Sequence, residues 1–245
     1  MNISMNELKA ALRRCFEACG YFVGNYEDAA NMVLWLEKHG LNGLTELERA
    51  LPFIDRDSDK PLSSVVYEDS TSAIIDSHGR SALNCIAAAV DLAHAKALEV
   101  GIATVTVHNC HNRMFILKAL TDCGRRGISV AAYWQNGNDN ITEHTAAIAA
   151  GERYPSYSDA TTCLSASPDD KQALTIVCSS RINLATTLKH RNTRMLSAAQ
   201  VEQNKEHSVN QGIEIKPALW EEINRIGAAV LVENSELSRA DAGGR

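Results

Sequence analysis

The feature that most constrains the fold is a change of hydrophobic period near residue 72. From there, short runs of β-branched residues alternate with longer Ala-rich or amphipathic segments. Strands alternating with helices indicate βαβ units on a partly parallel sheet, so we expect an α/β fold with βαβαβ units forming a mixed sheet. The pattern predicts strands at Ser72–Asp76, Ile102–Val107 and Ile128–Trp134, and helices at Ser81–Val100 and Asn112–Cys123.

The chain before this point is expected to be a helical segment covering residues 1–54. Apolar residues recur there at helical spacing, and polar residues that favour helix N-termini precede each run. Three helices are expected: Asn6 to about Cys19, Asn25 to His39, and Thr45 to Pro52.

The chain beyond residue 134 gives weaker patterns. Residues 181–212 are polar and fit either a helix or a mobile excursion, and we expect the tail 238–245 to be disordered. We predict one domain for residues 1–245, because no linker divides the chain. The elements expected here are a helical patch at Thr145–Ala150, strands at Ala160–Ser165, Leu174–Ser179 and Ala229–Val232, and a helix opened by Pro217.

Composition narrows the classes of partner. A net charge of −6 gives no electrostatic basis for binding a phosphate backbone, so we expect no nucleic acid partner. No apolar run is long enough to span a bilayer and no signal peptide is evident, so we expect no membrane association. The seven cysteines lie mostly in apolar stretches, which suits buried thiols in a reducing, cytoplasmic protein.

Several strong functional motifs are absent from the sequence. There is no G-x-G-x-x-G dinucleotide motif and no G-x-x-x-x-G-K-[ST] phosphate loop. There is also no C-x-x-C pair, H-E-x-x-H or G-x-S-x-G. These absences argue against an ordinary Rossmann site, P-loop chemistry, structural zinc and the α/β-hydrolase mechanism.

The first candidate site is the tetrapeptide His108-Asn109-Cys110-His111, between a predicted strand and a predicted helix. Ligands commonly bind at the carboxyl ends of strands in α/β sheets. His111 would act there as a catalytic acid, with Asn109 and Asn112 binding substrate. Two alternatives stay open: a metal site that needs further ligands from elsewhere, or a plain strand-to-helix turn with satisfied polar groups.

Two further places are candidates for substrate binding. Asp76 and Arg80 flank a Ser-His-Gly turn after the first predicted strand, where they would bind an anion. In the alternative, Asp76 or Ser77 caps a turn, Gly79 takes an unusual backbone angle and Arg80 is solvated. His39 lies at the predicted end of the second helix, where it would bind substrate or interact with the helix dipole.

Both ends of the chain resemble an uncharacterised bacterial family, a domain of unknown function. That family has a GY-x-W-G-x-A-E-E-A-x-x-A-x-x-W-L pattern near its start, which corresponds here to the segment Gly20–Leu36. Its V-P-A-S-E-x-S-R-x-x-G-A-G pattern corresponds to Val232–Gly243. The resemblance brings no assigned activity.

The first 135 residues also resemble the malate/L-lactate dehydrogenase-like enzymes, which do not have a Rossmann fold. Those enzymes place a D-G-x-x-G-x-G-Q turn, a long helix, a strand and N-S-x-H-F-G in the order seen here from Asp76 to Asn112. The resemblance implies their fold, an NAD(P)H cofactor, a homodimer, and reduction of 2-oxo acids or cyclic imines.

Two departures from the enzymes affect the expected chemistry. Their proton-donating His lies in an S-H-G tripeptide, where this chain has Gly43-Leu44-Thr45. Their Phe-Gly after the second motif corresponds to Arg113-Met114 here, and their Lys-Gly-rich cofactor segment has no counterpart. A bare glycine backbone permits close approach of a cofactor, so its replacement matters.

Three hypotheses follow. The leading one is a protein on a dehydrogenase-like scaffold without the usual catalytic His, which binds a small anionic metabolite or has an accessory role. The second is an active NAD(P)H-dependent reductase with His111 as the acid. The third is an oligomeric interaction module, which would require an exposed apolar patch on the first two helices.

Overall fold

A computed structural model describes residues 1–54, 57–137, 141–162, 172–185 and 198–230. The N-terminal helical segment consists of three helices, α1 (Met5–Ala18), α2 (Val23–Lys38) and α3 (Gly43–Ile54). All three begin at residues other than those predicted, since they start at Met5, Val23 and Gly43 instead of Asn6, Asn25 and Thr45. Ser4 rather than Asn6 caps α1, because the Ser4 hydroxyl accepts the Glu7 N–H while the Glu7 carboxylate accepts the Ser4 N–H.

The starts and ends of α2 and α3 show why local signals misplace helix boundaries. Asn25 lies inside α2, where its side-chain amide donates to the Asn84 side chain at 3.2 Å instead of capping the helix. Pro52 likewise lies inside α3, which continues to Ile54. The side chain of Asn25, a residue type that favours helix caps, is thus used for a contact with another helix. Pro52 does not end α3, which extends two residues past it.

A mixed seven-stranded sheet follows, as predicted. Its strands are β2 (Ser64–Glu68), β3 (Ser72–Asp76), β4 (Ile102–His108), β5 (Ser129–Asn136), β6 (Ile141–Ile148), β7 (Ser156–Thr162) and β8 (Leu174–Ser179). Their order is β2-β3-β4-β8-β5-β6-β7, and among the described residues only the β3–β4 pair is parallel. A separate two-stranded sheet joins β1 (Asn2–Ile3) to β9 (Ile213–Glu214).

The remaining helices complete the helical layer. These are α4 (Ala82–Val100), α5 (Ile116–Arg125), α6 (Ala198–Gln211) and α7 (Pro217–Gly227). Pro217 occupies the first turn of α7, as expected. The predicted helix from Asn112 begins instead with a short 3-10 turn, Arg113–Phe115, which leads into α5.

Two predictions of secondary structure are wrong. The expected helical patch at Thr145–Ala150 is largely strand β6, whose Ala146 and Ala147 pair with Ala132 and Ala131 of β5. Pairing with a neighbouring strand overrides the helix preference of alanine there. The expected strand at Ala229–Val232 begins inside a 3-10 turn, Ala228–Val230, and its last two residues lie outside the described residues.

Among the described residues, most buried apolar side chains of the helices and of the sheet form one cluster, and Ala131 and Ala147 form a second, against which Leu184 and Ala185 pack. Six cysteines are buried as free thiols, in agreement with the expectation for their role. None of the helices in the described ranges is long and apolar enough to cross a membrane. The prediction of a disordered tail at 238–245 lies outside the described residues, so it and the single-domain prediction for residues 1–245 stay predictions.

Candidate functional site

The candidate site lies at one edge of the sheet. β3 is parallel to β4, and both β4 and β5 are antiparallel to β8, so β3, β4 and β5 run in the same direction. Their carboxyl ends, Asp76, His108 and Asn136, therefore lie at the same edge. This edge is where ligands are expected in an α/β sheet.

Asp76 and Asn109, predicted from separate motifs, come together at this edge. The Asn109 side-chain amide donates to Asp76 Oδ1 at 2.9 Å, and the His78 backbone N–H donates to the same oxygen at 2.7 Å. These two hydrogen bonds lower the pKa of the Asp76 carboxyl group. Asp76 is therefore ionised at neutral pH and holds the two turns together.

Arg80 is buried, so the alternative in which it is solvated is wrong. Its side chain is buried, Nε donates to the Pro61 carbonyl at 2.7 Å, and a terminal nitrogen donates to the Lys60 carbonyl. Lys60 in turn donates to the fully buried Asp57 at 3.0 Å, and Asp57 accepts a hydrogen bond from the Tyr21 hydroxyl at 2.9 Å. Arg80 thus fixes the loop before β2, which accounts for its burial without a substrate.

His111 lies at the same edge, beside α3. Its ring stacks on Phe53 with 4.6 Å between ring centroids, and its backbone pairs with Arg80 and Ala82. Partial burial lowers the pKa of His111, and the nearby charges of Lys60 and Arg113 lower it further. The imidazole is therefore mainly neutral at pH 7.

Asn112 adopts a left-handed backbone conformation, with φ of 57°, and makes no side-chain cap of the turn that follows. Its side-chain oxygen is buried and has no hydrogen-bond partner among the described residues. Together with Asn109, it places two amide side chains on the loop that follows β4. Within the described ranges, no group of three side chains is suited to hold a metal ion.

His39 lies elsewhere, in the helical layer. It is 4% exposed and packs between Trp35 and Tyr154, at centroid distances of 4.4 and 5.4 Å. The ring must donate from Nδ1, because its partner at 2.6 Å is the Trp35 carbonyl oxygen. Burial lowers the pKa of His39 to about 4, so the ring is neutral at pH 7.

A cavity of about 250 Å³ lies between α3 and the helix-facing side of the sheet. Glu46, Arg49 and Phe53 follow helical spacing along one face of α3, so the cavity and the ring of His111 lie along the same face. The cavity is lined by Leu41, Asn42, Glu46, Arg49, Met114, Trp134, Asn136, His144, Tyr157 and Asp159.

A chain of hydrogen bonds runs along the sheet side of this cavity. Arg113 donates to the side-chain oxygen of Asn136, and the Asn136 amide faces His144 Nε2 at 3.0 Å. His144 Nδ1 lies 2.7 Å from the Tyr157 hydroxyl, which lies 3.3 Å from Asp159 Oδ2. Because arginine only donates and a carboxylate only accepts, the direction of every bond in the chain is fixed.

This direction fixes the state of His144. Nε2 accepts from Asn136, so the proton is on Nδ1, and the Tyr157 hydroxyl donates to Asp159. Burial also lowers the pKa of His144. The ring lies parallel to Trp134, with 5.0 Å between centroids and 7° between planes. The arrangement presents a rigid, neutral imidazole–indole surface to the cavity.

Sequence reasoning missed His144, Tyr157 and Asp159 because it placed helix at residues 145–150. One signal was available: the turn-forming residues 135–140, QNGNDN, separate two runs that contain β-branched and aromatic residues. Such a spacing is typical of a β-hairpin. The alternation of side chains along β6 and β7 then places these three residues on the helix-facing side.

Comparison with known proteins identifies the fold. Residues 3–95 match the model of a family described as a protein of unknown function, DUF3726. No curated protein matches the chain.

Three solved structures illustrate the likeness. Malate dehydrogenase from Entamoeba histolytica is 11% identical, with a TM-score of 0.66 over 96% of this chain and 99% of the other. Malate dehydrogenase from Pyrococcus horikoshii OT3 is 14% identical, with a TM-score of 0.67 over 95% and 96%. Δ1-piperideine-2-carboxylate reductase from Pseudomonas syringae pvar. tomato is 12% identical, with a TM-score of 0.61 over 92% and 99%. At these identities the likeness establishes a malate/L-lactate dehydrogenase-like fold.

Proposed function

On this dehydrogenase-like fold, we propose that the protein binds a small metabolite that carries a carboxylate, in the cavity between α3 and the sheet. The observation that carries the proposal is the placement of Arg49 at this cavity, opposite the hydrogen-bonded series of Asn136, His144 and Tyr157. A cation faces ordered polar groups across a space large enough for a ligand. The position at the carboxyl edge of the strands agrees with this role.

The size of the cavity limits the ligand. Sites for drug-sized molecules measure about 300–1,000 Å³, and this cavity measures about 250 Å³. A small metabolite fits this space, whereas a nicotinamide dinucleotide exceeds it. Nearby, the Arg113 side chain fills the loop where the related enzymes have Phe-Gly, and it hydrogen-bonds to the Gln135 carbonyl at 2.9 Å. The proposed ligand of this cavity is therefore a small metabolite and not a dinucleotide.

The charges of the cavity narrow the ligand further. Arg49 faces two carboxylates, since it pairs with Glu46 at 2.7 Å and Asp159 lines the opposite side. A ligand carboxylate would replace Glu46 as the partner of Arg49 and would accept from the Asn42 amide. The carboxylates of Glu46 and Asp159 would repel the second charge of a dianion. A monoanion, or a zwitterion whose ammonium group approaches Asp159, therefore suits the site better.

The experiment is a thermal-shift titration with pairs of small 2-oxo acids and the corresponding 2-amino acids. A ligand at 100 times its dissociation constant stabilises by about 2.7 kcal/mol. Arg49→Gln should abolish the shift. Arg225→Gln is the matched control, because Arg225 forms the same i,i+3 pair with Glu222 at 2.7 Å and is similarly exposed. Equal shifts in both variants, or no shift in the wild type with any of these acids, would refute the proposal.

A second candidate is an NAD(P)H-dependent reductase of a 2-oxo acid or cyclic imine. It is supported by the fold shared with dehydrogenases and a reductase, and by the position of His111 beside the cavity face of α3. His111 would protonate the substrate oxygen or nitrogen, with Asn109 and Asn112 orienting the substrate. His111→Ala should then reduce oxidation of NADH or NADPH by about 10²–10⁴-fold. An unchanged rate would exclude this role.

Two further proposals concern the cellular location and the oligomeric state. A cytoplasmic location agrees with six buried free thiols, and thiol titration of protein purified from its native cells tests it. A homodimer is expected from the resemblance, and light scattering measures its mass.

An interaction module has weaker support, because the exposed large apolar side chains of α2 and its cap are only Phe22 and Val23 among the described residues.

A further inference from the structure

The hairpin formed by β2 and β3 brings a serine, a histidine and an aspartate together outside the cavity. Ser64 lies directly opposite Asp76 in the register of the two strands, so both side chains are on the same face of the sheet. The turn that follows Asp76 carries His78 back over that face. None of the roles discussed so far uses Ser64 or His78.

The distances place the three side chains in series. Ser64 Oγ lies 3.1 Å from His78 Nε2, and His78 Nδ1 lies 3.6 Å from Asp76 Oδ2. The other carboxylate oxygen of Asp76 is held by the His78 backbone N–H and by the Asn109 amide. Asp76 is therefore fixed from two sides, with its second oxygen directed towards the ring.

The backbone at His78 is unusual, which also bears on its position. His78 has φ of 51°, in the left-handed region that few non-glycine residues adopt. The hydrogen bond that the His78 N–H donates to the Asp76 carboxylate stabilises this turn. In this conformation the ring lies against Ser64 at the surface of the hairpin, with its side chain 31% exposed.

This series has the order of a nucleophile, a base and an orienting carboxylate. When Nε2 accepts the Ser64 proton, Nδ1 carries the ring proton and faces the Asp76 carboxylate. We propose that Ser64 is a nucleophile for acyl transfer from small activated esters, with His78 as its general base and Asp76 as the positioning residue.

The reaction balances without a cofactor. Ser64 Oγ forms a bond to the ester carbonyl carbon while His78 Nε2 takes the hydroxyl proton. The carbon–oxygen bond of the ester then breaks, and His78 returns the proton to the leaving alcohol or phenol. Water next attacks the acyl-serine with His78 as base, which releases the carboxylic acid and restores the Ser64 hydroxyl.

The surroundings define the class of substrate. β2 is the edge strand of the large sheet and all five of its residues are exposed, so a substrate reaches Ser64 from solvent. An edge strand has backbone N–H groups that no neighbouring strand uses, and these are the donors available to the developing oxyanion. Because these donors stabilise the oxyanion only to a limited extent, the expected substrates are esters with good leaving groups, such as aryl acetates. Fluorophosphonates are expected to label the serine covalently.

The test combines covalent labelling with an ester assay on the full chain. A fluorophosphonate probe followed by peptide mapping identifies the labelled serine, and p-nitrophenyl acetate measures turnover. His78→Asn removes the base but keeps a residue that tolerates positive φ. Ser70→Ala is the matched control, because Ser70 is an exposed serine in the same hairpin.

We expect labelling at Ser64 that Ser64→Ala abolishes, that His78→Asn slows by about 10²–10⁴-fold, and that Ser70→Ala leaves unchanged. Asp76→Asn should slow labelling because the ring loses its orienting charge. Absence of label on Ser64, or a rate at Ser64 that is the same in His78→Asn as in the wild type, would overturn the proposal.

Discussion

The burial of His39 predicts a specific loss of stability in mild acid. Its pKa falls from 6.5 to about 4 on folding, chiefly because the ring is removed from water. The hydrogen bond to the Trp35 carbonyl and the charge of Glu202 oppose this shift, and the charges of Lys38 and Lys205 add to it. The folded protein therefore favours the neutral ring, whereas the unfolded chain takes up a proton below pH 6.5. The contribution of His39 to stability is present above that pH and is lost as the pH falls towards 4.

The magnitude follows from the two pKa values. A shift of one unit corresponds to about 1.4 kcal/mol, so the complete transition costs about 3 kcal/mol, of which about 2 kcal/mol is lost between pH 7.5 and pH 5. Because the side chain is only 4% exposed, solvent screening reduces this little. The loss is a sizeable part of the stability of an ordinary domain, which is about 5–15 kcal/mol.

Urea unfolding at several pH values measures this loss. His39→Gln cannot titrate, so its free energy of unfolding should fall by about 2 kcal/mol less than that of the wild type between pH 7.5 and pH 5. Other groups contribute equally to both proteins and cancel. His207→Gln, at an exposed position on α6, is the control and should follow the wild type. Parallel curves for His39→Gln and the wild type would refute the reasoning.

Three further outcomes are expected in urea unfolding at neutral pH. Gly43→Ala should destabilise by about 1–3 kcal/mol, because its Cβ would lie 2.3 Å from the Val33 carbonyl oxygen; Gly24→Ala, in open space within α2, should not destabilise. Asp57→Asn should cost about 3 kcal/mol by leaving Lys60 without its buried partner, and adding Lys60→Met should restore part of that loss. Ser4→Ala should cost about 1 kcal/mol through loss of the α1 cap. A reversed order of the two glycine variants, no rescue by Lys60→Met, or an unchanged midpoint for Ser4→Ala would contradict the respective predictions.

The candidate site could be predicted only in part. Asp76, Asn109 and His111 follow strands, and strand ends in an α/β sheet predict ligand positions from sequence alone. The fold brings Asp76 and Asn109 into contact and keeps His111 at the same edge. The sequence gives no sign that Arg80 is used by the loop before β2, because its partners are backbone carbonyls about 20 residues away. Whether any of these residues binds substrate stays a prediction.

The cavity itself depends on strand order, which local patterns do not determine. β8 follows β7 in sequence but lies between β4 and β5, so β5, β6 and β7 are displaced to one side of the sheet. That displacement brings His144, Tyr157 and Asp159 opposite α3. Pairing of this kind depends on contacts between residues far apart in the chain, whose free energy no window of sequence contains.

The sequence by itself determined the local elements and the class of fold. Hydrophobic period distinguishes strands from helices, and glycines such as Gly101, with φ of 95°, mark where helices end, so the α/β alternation is readable directly. Tertiary structure alone decided which side chains meet. It turned an alanine-rich segment into β6, set the direction of the His144 hydrogen bonds, and placed Ser64 against His78. The reason is physical: propensity and capping act over a few residues, whereas a site is assembled by packing across the whole chain.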